Sequence, residues 1–185
     1  MSSVQANGIT IEYETSGTGD PLLLVMGLGG QLTDWPDGFV DRLVASGFQV
    51  ITFDNRDQGL STEFDWEPPS QIRAVMAALF KRPAKAAYLL ADMANDAVGL
   101  LDALQIERAH VVGMSMGGMI AQIVAARYPQ RTTSLVSIMS TPGFADHLPQ
   151  PSTEANNQLT SLANSDGESD ATARLHHIGL YPEAM

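Results

Sequence analysis

The sequence predicts an α/β fold, in which a mostly parallel sheet is flanked by helices and preceded by an N-terminal hairpin. Short continuous apolar runs, typical of strands buried on both faces, alternate along the chain with longer segments of helical periodicity. Alternation of this kind implies parallel strands joined by right-handed crossovers. The chain has 185 residues, 44% of them hydrophobic, which is enough for a sizeable core.

The first half of the chain predicts a hairpin, two strands and two helices. Residues 4–15 alternate in polarity around Asn7-Gly8, a strong signal for a tight turn between antiparallel strands. The elements that follow are a buried strand at 22–26, a helix opened by Pro36 and closed by Gly47, a strand at 49–54, a polar loop at 55–62, and a helix at 72–80 that Ser70 caps and Pro83 ends.

The second half continues the alternation and then changes character. It predicts a helix from about Asp92, a strand at 110–113, a helix at 116–128 stopped by Pro129, and a strand at 135–139. After Thr141 the sequence becomes polar, with prolines and an Asn-Asn pair. We therefore expect a core over residues 1–143 and a separate, loosely helical region over 144–185.

The stretch GMSMG, from Gly113 to Gly117, has the pattern G-x-S-x-G and falls between a predicted strand and a predicted helix. This context is the one that a nucleophile elbow requires. The flanking glycines allow a sharp turn that presents the Ser115 hydroxyl at the start of the helix. There the N–H of Met116 and the helix dipole favour a developing oxyanion. The alternative is that Gly113, Gly117 and Gly118 only permit close packing of helix on sheet, which would not require a serine at the apex.

A second glycine-rich stretch, from Gly27 to Gly30, directly follows the strand at 22–26. A loop in this place supplies the other oxyanion N–H in such sites, and we assign it to Leu28. A phosphate-binding loop is the alternative. That loop would carry Lys-Ser or Lys-Thr after the glycines, whereas Gln31-Leu32 follows here.

The chain resembles the α/β-hydrolase fold family, and in particular bacterial serine esterases of the aclacinomycin methylesterase-like group. The resemblance spans residues 9 to about 143 and rests on LLLVMGLGG, ITFDNRDQGLST, DMANDAVGLLDALQIERAHVVGMSMGGMIAQ and ARYPQRTTSLVSIMST. It departs from the pattern at Met26, where many members carry His, although the methylesterase-like group tolerates Met. It implies that Ser115 is the nucleophile and that Leu28 and Met116 donate to the oxyanion.

In this family an Asp or Glu and then a His follow the serine, on loops after later strands. Those strands are absent from the 185 residues, so we expect the chain to be the N-terminal part of a hydrolase, with the C-terminal strands missing. Residues 144–185 would then begin the cap. His110 lies at the wrong end of its strand, and a surface or packing role is also expected for His147, His176 and His177. Asp146 is a weak candidate for the acid.

Two further groups have alternative interpretations. In the family pattern Arg56 braces loops near the site, and a solvated ion pair with Asp54 or Asp57 is the alternative. The side chains that could line an acyl pocket are Met26, Trp35, Met114 and Met119, although methionines at such spacing are more often ordinary core. The predicted helix at 72–80 is expected to lie over the active-site side or to cover the sheet edge.

The formal net charge of −11 argues against nucleic acid as a partner. With no cysteine, no secretory signal and no membrane span in the sequence, we expect a cytoplasmic location. Nothing in the motifs calls for a metal or an organic cofactor.

The first hypothesis is a serine hydrolase that acts on small carboxylic esters, with triad Asp and His supplied from outside this chain. A carbon–carbon bond hydrolase or a cofactor-free perhydrolase is a variant on the same fold, whereas a dehalogenase would need Asp at the elbow. The second hypothesis is a catalytically silent fragment or one half of a split hydrolase. Such a chain would associate through its exposed sheet edge with a complementary C-terminal chain or with itself.

Overall fold

The computed structural model describes residues 1–36, 38–66, 86–142 and 152–154. The described strands are β1 (Ser2–Ala6), β2 (Ile9–Ser16), β3 (Asp20–Val25), β4 (Phe48–Phe53), β5 (Ala109–Met114) and β6 (Thr132–Ile138). The described α-helices are α1 (Phe39–Ala45), α2 (Leu90–Ala103) and α3 (Met116–Arg127), and a short 3-10 turn occupies Pro129–Arg131. Each predicted strand and helix of this part of the chain is present, with ends that differ by a few residues.

The six strands form one mixed sheet in the order β1-β2-β4-β3-β5-β6. Strands β1, β2 and β4 pair antiparallel, and β4, β3, β5 and β6 run parallel. The turn between β1 and β2 has positive φ at both Asn7 (50°) and Gly8 (79°), which suits the right-handed twist of a hairpin. The predicted hairpin and parallel sheet are therefore confirmed.

The core has two layers because alternate side chains of the central strands point to opposite faces of the sheet. Leu22, Leu24 and Val112 pack with α1 on one face. Leu23, Val25 and Val111, all fully buried, point to the other face, on which α2 and α3 lie. Because β3 and β5 are covered on both sides, the central residues of both strands are apolar, as in LLLV of β3 and VV of β5.

The first helix begins later than the sequence predicts. Pro36 does not open it, because Gly38 adopts a left-handed φ of 70° and the helix starts at Phe39. The Pro36 carbonyl instead accepts a hydrogen bond from the Phe39 N–H at 2.9 Å, which forms a turn before the helix. Gly47, with φ of 90°, closes the helix as predicted.

The chain divides into two compact units. The first comprises Met1–Phe64 with Leu90–Pro142, and it contains the whole sheet. The second comprises Asp65–Leu89 with Gly143–Met185. The helix predicted at 72–80 lies outside the described residues, as does nearly all of the region predicted at 144–185. The boundary at residue 143 stays a prediction.

Strand β6 forms one edge of the described sheet. Most of its residues are exposed, including Leu135 and Val136, and Met139 just beyond it is 77% exposed. This contrasts with β3 and β5, whose apolar residues are buried. Such an edge presents both apolar side chains and unpaired backbone groups to its surroundings.

Candidate active site

Ser115 lies between the end of β5 and the start of α3, where the backbone turns sharply. Its backbone has φ of 56° and ψ of −122°, a conformation that costs a non-glycine residue about 1–3 kcal/mol. The Ser115 N–H donates to the Ile138 carbonyl at 2.9 Å, and the Ser115 carbonyl accepts from the Gly118 N–H at 2.9 Å. The side chain is exposed and makes no capping hydrogen bond to the helix. The prediction of a strained strand-to-helix turn is confirmed.

The flanking glycines are needed because backbones approach each other closely at this turn. A Cβ on Gly113 would overlap the backbone of Gly117. A Cβ on Gly117 would overlap the carbonyl oxygens of Val25 and Met26 at the end of β3. The glycines therefore do permit close packing, as the packing alternative requires. They also bring the end of β3 against the first turn of α3, where Ser115 is presented.

The loop after β3 runs beside the Ser115 side chain. A Cβ built on Gly27 would lie 3.2 Å from the Ser115 Cβ and 3.7 Å from the Ser115 Oγ. The Gly30 N–H bonds the Gly27 carbonyl at 3.3 Å, and Gly29 has a positive φ of 77°. Leu28 therefore directly follows a residue, Gly27, that lies close to the hydroxyl. The convergence of the Leu28 and Met116 N–H groups on one point stays a prediction.

Two residues of the loop after β4 hold this turn, and the sequence did not single them out for that role. The Asp54 carboxylate accepts from the Leu32 N–H at 2.7 Å, and the Asn55 amide donates to the Met26 carbonyl at 3.0 Å. Asp54 and Asn55 are only 3% and 2% exposed. The signal available in the sequence was a pair of polar side chains directly after a buried strand.

Arg56 is buried and pairs with Asp96 of α2, so the alternative of a solvated ion pair with Asp54 or Asp57 is wrong. Its Nε and Nη2 donate to the two carboxylate oxygens at 2.6 and 2.7 Å. Asn7 of the hairpin turn donates to the same carboxylate at 2.7 Å. Burial raises the pKa of Asp96, and hydrogen bonds from Arg56 and Asn7 act in the opposite direction. This cluster joins the hairpin, the loop after β4 and α2.

Three of the four candidate pocket residues belong to the apolar core. Met26 and Trp35 are buried in the cluster beneath α1, and Met114 packs against that cluster. Trp35 also stacks on Phe39 of α1, with ring centroids 5.5 Å apart. The ordinary-core interpretation accounts for these three. Met119 is half-buried on the first turn of α3, outside this cluster.

In the part of the chain that the structure describes, His110 is the one histidine. It lies near the start of β5, and its Nδ1 shares a hydrogen bond of 2.7 Å with Ser134 Oγ of the neighbouring strand β6. Ser115 lies five residue steps further along the chain, which is about 16 Å in an extended strand. The prediction that His110 is remote from Ser115 is confirmed. His147, His176, His177 and Asp146 lie outside the described residues.

The described residues contain no group of three side chains able to ligate a metal ion. None of the helices within the described ranges combines the length and the apolar character that a membrane crossing needs.

The fold described above is shared with known proteins. A model of the alpha/beta hydrolase fold matches residues 20–171. The chain belongs to the α/β-hydrolase fold family. Rhodomycin D methylesterase DauP of Streptomyces sp. (strain C5) is 37% identical over 129 residues, which are 68% of this chain and 38% of DauP. A 2-hydroxymuconate semialdehyde hydrolase of Pseudomonas sp. (strain CF600) is 36% identical over 132 residues, which are 71% of this chain and 40% of that enzyme.

Among solved structures, the enol-lactonase from Burkholderia xenovorans LB400 superposes with a TM-score of 0.63 at 24% identity. The match covers 90% of this chain and 55% of the lactonase, and it bears on the fold alone. The chain thus spans about two fifths of the length of the two curated relatives and about half of this structural one.

Proposed function

We propose that this chain carries the nucleophile and the oxyanion hole of a serine hydrolase that acts on small carboxylic esters. The observation that carries the proposal is the conformation of Ser115: an exposed serine held at φ of 56° and ψ of −122° at the N-terminus of α3. Folding tolerates such strain where the surrounding structure enforces it, and enforced strain of this kind clusters at functional sites. A packing turn alone would be served better by glycine.

In the proposed reaction, Ser115 Oγ attacks the ester carbonyl carbon while a histidine base takes its proton. The tetrahedral oxyanion accepts hydrogen bonds from the N–H groups of Leu28 and Met116, at the positive end of the helix dipole. The alcohol then leaves with the proton from the histidine, and an acyl group remains on Ser115. A water molecule, deprotonated by the same base, releases the acid and regenerates the hydroxyl.

The histidine and the acid that orients it are proposed to come from outside these 185 residues, either from a continuation of the same polypeptide or from a complementary chain. His110 is not the base, because it lies at the other end of β5 from Ser115 and its Nδ1 is hydrogen-bonded to Ser134 of β6. The proposed ester substrate is supported by the rhodomycin D methylesterase relatives, whose names state that activity. Relatives with other names, such as the 2-hydroxymuconate semialdehyde hydrolase, leave the acyl and alcohol groups open.

A second candidate is that the chain works by association, as one half of a split hydrolase, or is catalytically silent. The observation that favours it is the β6 edge, where Leu135 and Val136 are 39% and 47% exposed. Exposed apolar edge strands readily pair with another chain. The complementary half would supply further parallel strands together with the missing acid and base.

One experiment tests the proposal and separates it from a catalytically silent chain. The purified 185-residue chain is assayed on a p-nitrophenyl ester, alone and with a homologous C-terminal hydrolase segment carrying Asp and His. We expect little or no turnover alone, restoration by the segment, and loss of the restored activity in Ser115→Ala. Without its base, a serine site retains at most roughly 10³–10⁴-fold acceleration over water. Restored activity that survives in Ser115→Ala would contradict the proposal, and no restoration would favour the silent chain.

If the isolated chain turns over at an ordinary esterase rate and Ser115→Ala removes it, a base lies within the chain. Replacing His147, His176 and His177 one at a time would then identify it.

A further inference from the structure

We propose that Asp54 and Asn55 are positioning residues that hold the turn from Met26 to Leu32, and with it the Leu28 N–H, beside Ser115. The inference rests on the proposed function for its catalytic meaning, but the geometry that carries it stands by itself. The two residues form hydrogen bonds with the two ends of the turn. The Asn55 amide donates to the Met26 carbonyl, and the Asp54 carboxylate accepts from the Leu32 N–H.

Between these two anchor points lie five residues, Gly27 to Gln31, of which three are glycines. Glycine allows a wide range of backbone conformations, so the sequence of this turn does not by itself determine one conformation. The other hydrogen bonds of the turn are one from the Gly30 N–H to the Gly27 carbonyl at 3.3 Å and a reciprocal pair between Gln31 and Asp34. In that pair the Gln31 N–H donates to the Asp34 carboxylate at 2.8 Å and the Asp34 N–H donates to the Gln31 carbonyl at 3.0 Å. The first bond is long and the pair joins two exposed residues, which leaves the two buried anchors as the stronger restraints.

The Asp54 carboxylate accepts hydrogen bonds from backbone N–H groups of two different segments. One carboxylate oxygen accepts from Leu32, and the other accepts from Leu60 at 3.1 Å. Gly59, with φ of 52°, lets the loop after β4 wrap around this carboxylate, since a Cβ there would overlap it. The Asp54 carbonyl in turn accepts from Ser61 Oγ at 2.7 Å. The carboxylate therefore locks the turn after β3 to the loop after β4.

Catalysis is sensitive to such a restraint. An oxyanion donor must lie within about 2.7–3.1 Å of the oxyanion, and loss of one donor lowers kcat by about 10²–10³-fold. Substrate binding depends much less on that donor, because the oxyanion exists only in the transition state. Loosening the turn should therefore lower kcat of the complemented enzyme and leave KM nearly unchanged.

The decisive variant is Asn55→Asp, which replaces the amide by an isosteric carboxyl. When protonated, the carboxyl can donate to the Met26 carbonyl as the amide does. When ionised, it cannot donate and places a negative charge against that carbonyl. Burial should raise the pKa of the new carboxyl above its usual value, so the change should fall in an accessible pH range. Asp54→Asn is the companion variant, since an amide can no longer accept from both Leu32 and Leu60.

Thr62→Val is the matched control. Thr62 belongs to the same loop, and its hydroxyl also accepts from a backbone N–H, that of Thr10 at 2.9 Å. That bond ties the loop to β2 and makes no contact with the turn after β3. A general loosening of the loop would affect all three variants alike, whereas the proposed restraint affects only Asn55→Asp and Asp54→Asn.

The readout is the ¹⁵N order parameter of the Gly27 to Gly30 amides, measured on the 185-residue chain from about pH 4.5 to 8. We expect values near 0.85 for the unchanged chain and for Thr62→Val, and a fall towards 0.6 in Asp54→Asn. Asn55→Asp should match the unchanged chain at low pH and lose order as pH rises. Order that is independent of pH in Asn55→Asp, whether high or low, or equal loosening by Thr62→Val, would overturn the proposal.

The kinetic arm uses the complemented enzyme, with an expected 10²–10³-fold loss of kcat in Asp54→Asn at unchanged KM. Absence of ester hydrolysis in the unchanged protein would count against the proposed function only, because the order parameters test the restraint without activity. Loss of order without loss of kcat would refute the positioning role.

Discussion

Replacement of Ser115 by glycine is expected to stabilise the folded chain, although it removes the proposed nucleophile. Ser115 occupies φ of 56° and ψ of −122°, and release of such strain is worth about 1–3 kcal/mol. The added backbone freedom of glycine in the unfolded chain costs about 0.5–1 kcal/mol. The side chain is exposed and makes no capping hydrogen bond, so little else is lost. The net expectation is a gain of roughly 0–2 kcal/mol in the free energy of unfolding.

The assay is equilibrium urea unfolding followed by circular dichroism, with Ser3→Gly as the matched control. Ser3 is exposed in the extended strand β1, so its replacement should show only the backbone cost of about 0.5–1 kcal/mol. The difference between the two variants isolates the strain at Ser115. If Ser115→Gly destabilises the chain as much as Ser3→Gly does, then the backbone at Ser115 is not strained and the argument from strain to function fails.

Two further variants test the packing around the site. Gly117→Ala should lower the free energy of unfolding by at least about 1–3 kcal/mol, because its Cβ would overlap the Val25 and Met26 carbonyls; Gly29→Ala, which has open space but positive φ, should cost less in the same urea assay. Asp96→Asn should cost about 3–5 kcal/mol, because it removes the buried carboxylate charge to which Arg56 Nε and Nη2 both donate. The double variant Arg56→Met with Asp96→Leu should recover most of that loss, and a double variant as unstable as the single one would contradict this.

The order of strands and helices was predictable because a strand that is buried on both faces has a continuous run of apolar residues in the sequence. The run LLLV is apolar throughout, and VITF is apolar apart from Thr52, since β3 and β4 lie between layers of helix or loop. The ends of elements were less predictable. Pro36 has the usual chemistry of a helix start, but the left-handed conformation of Gly38 delays the helix to Phe39.

The polar contacts of the site could not be predicted in the same way, because they join segments that are distant in sequence. Asp96 lies 40 residues from Arg56, and only the folded chain brings them together. A signal was present: Asp96 follows Met93 by three residues and precedes Leu100 by four, which places a carboxylate on the buried face of α2. A charge on a buried face requires a partner, but helical periodicity does not say which residue provides it.

Formation of an acyl-enzyme at Ser115 can be detected directly by peptide mapping with mass spectrometry. The chain, complemented with a C-terminal segment that carries Asp and His, is treated with p-nitrophenyl acetate, quenched in acid and digested. We expect one added acetyl group on Ser115 and none at residue 115 of the Ser115→Ala variant. Ester turnover with an unmodified Ser115 would contradict the proposed nucleophile. So would an acetyl group on another residue that is still acetylated in the Ser115→Ala variant.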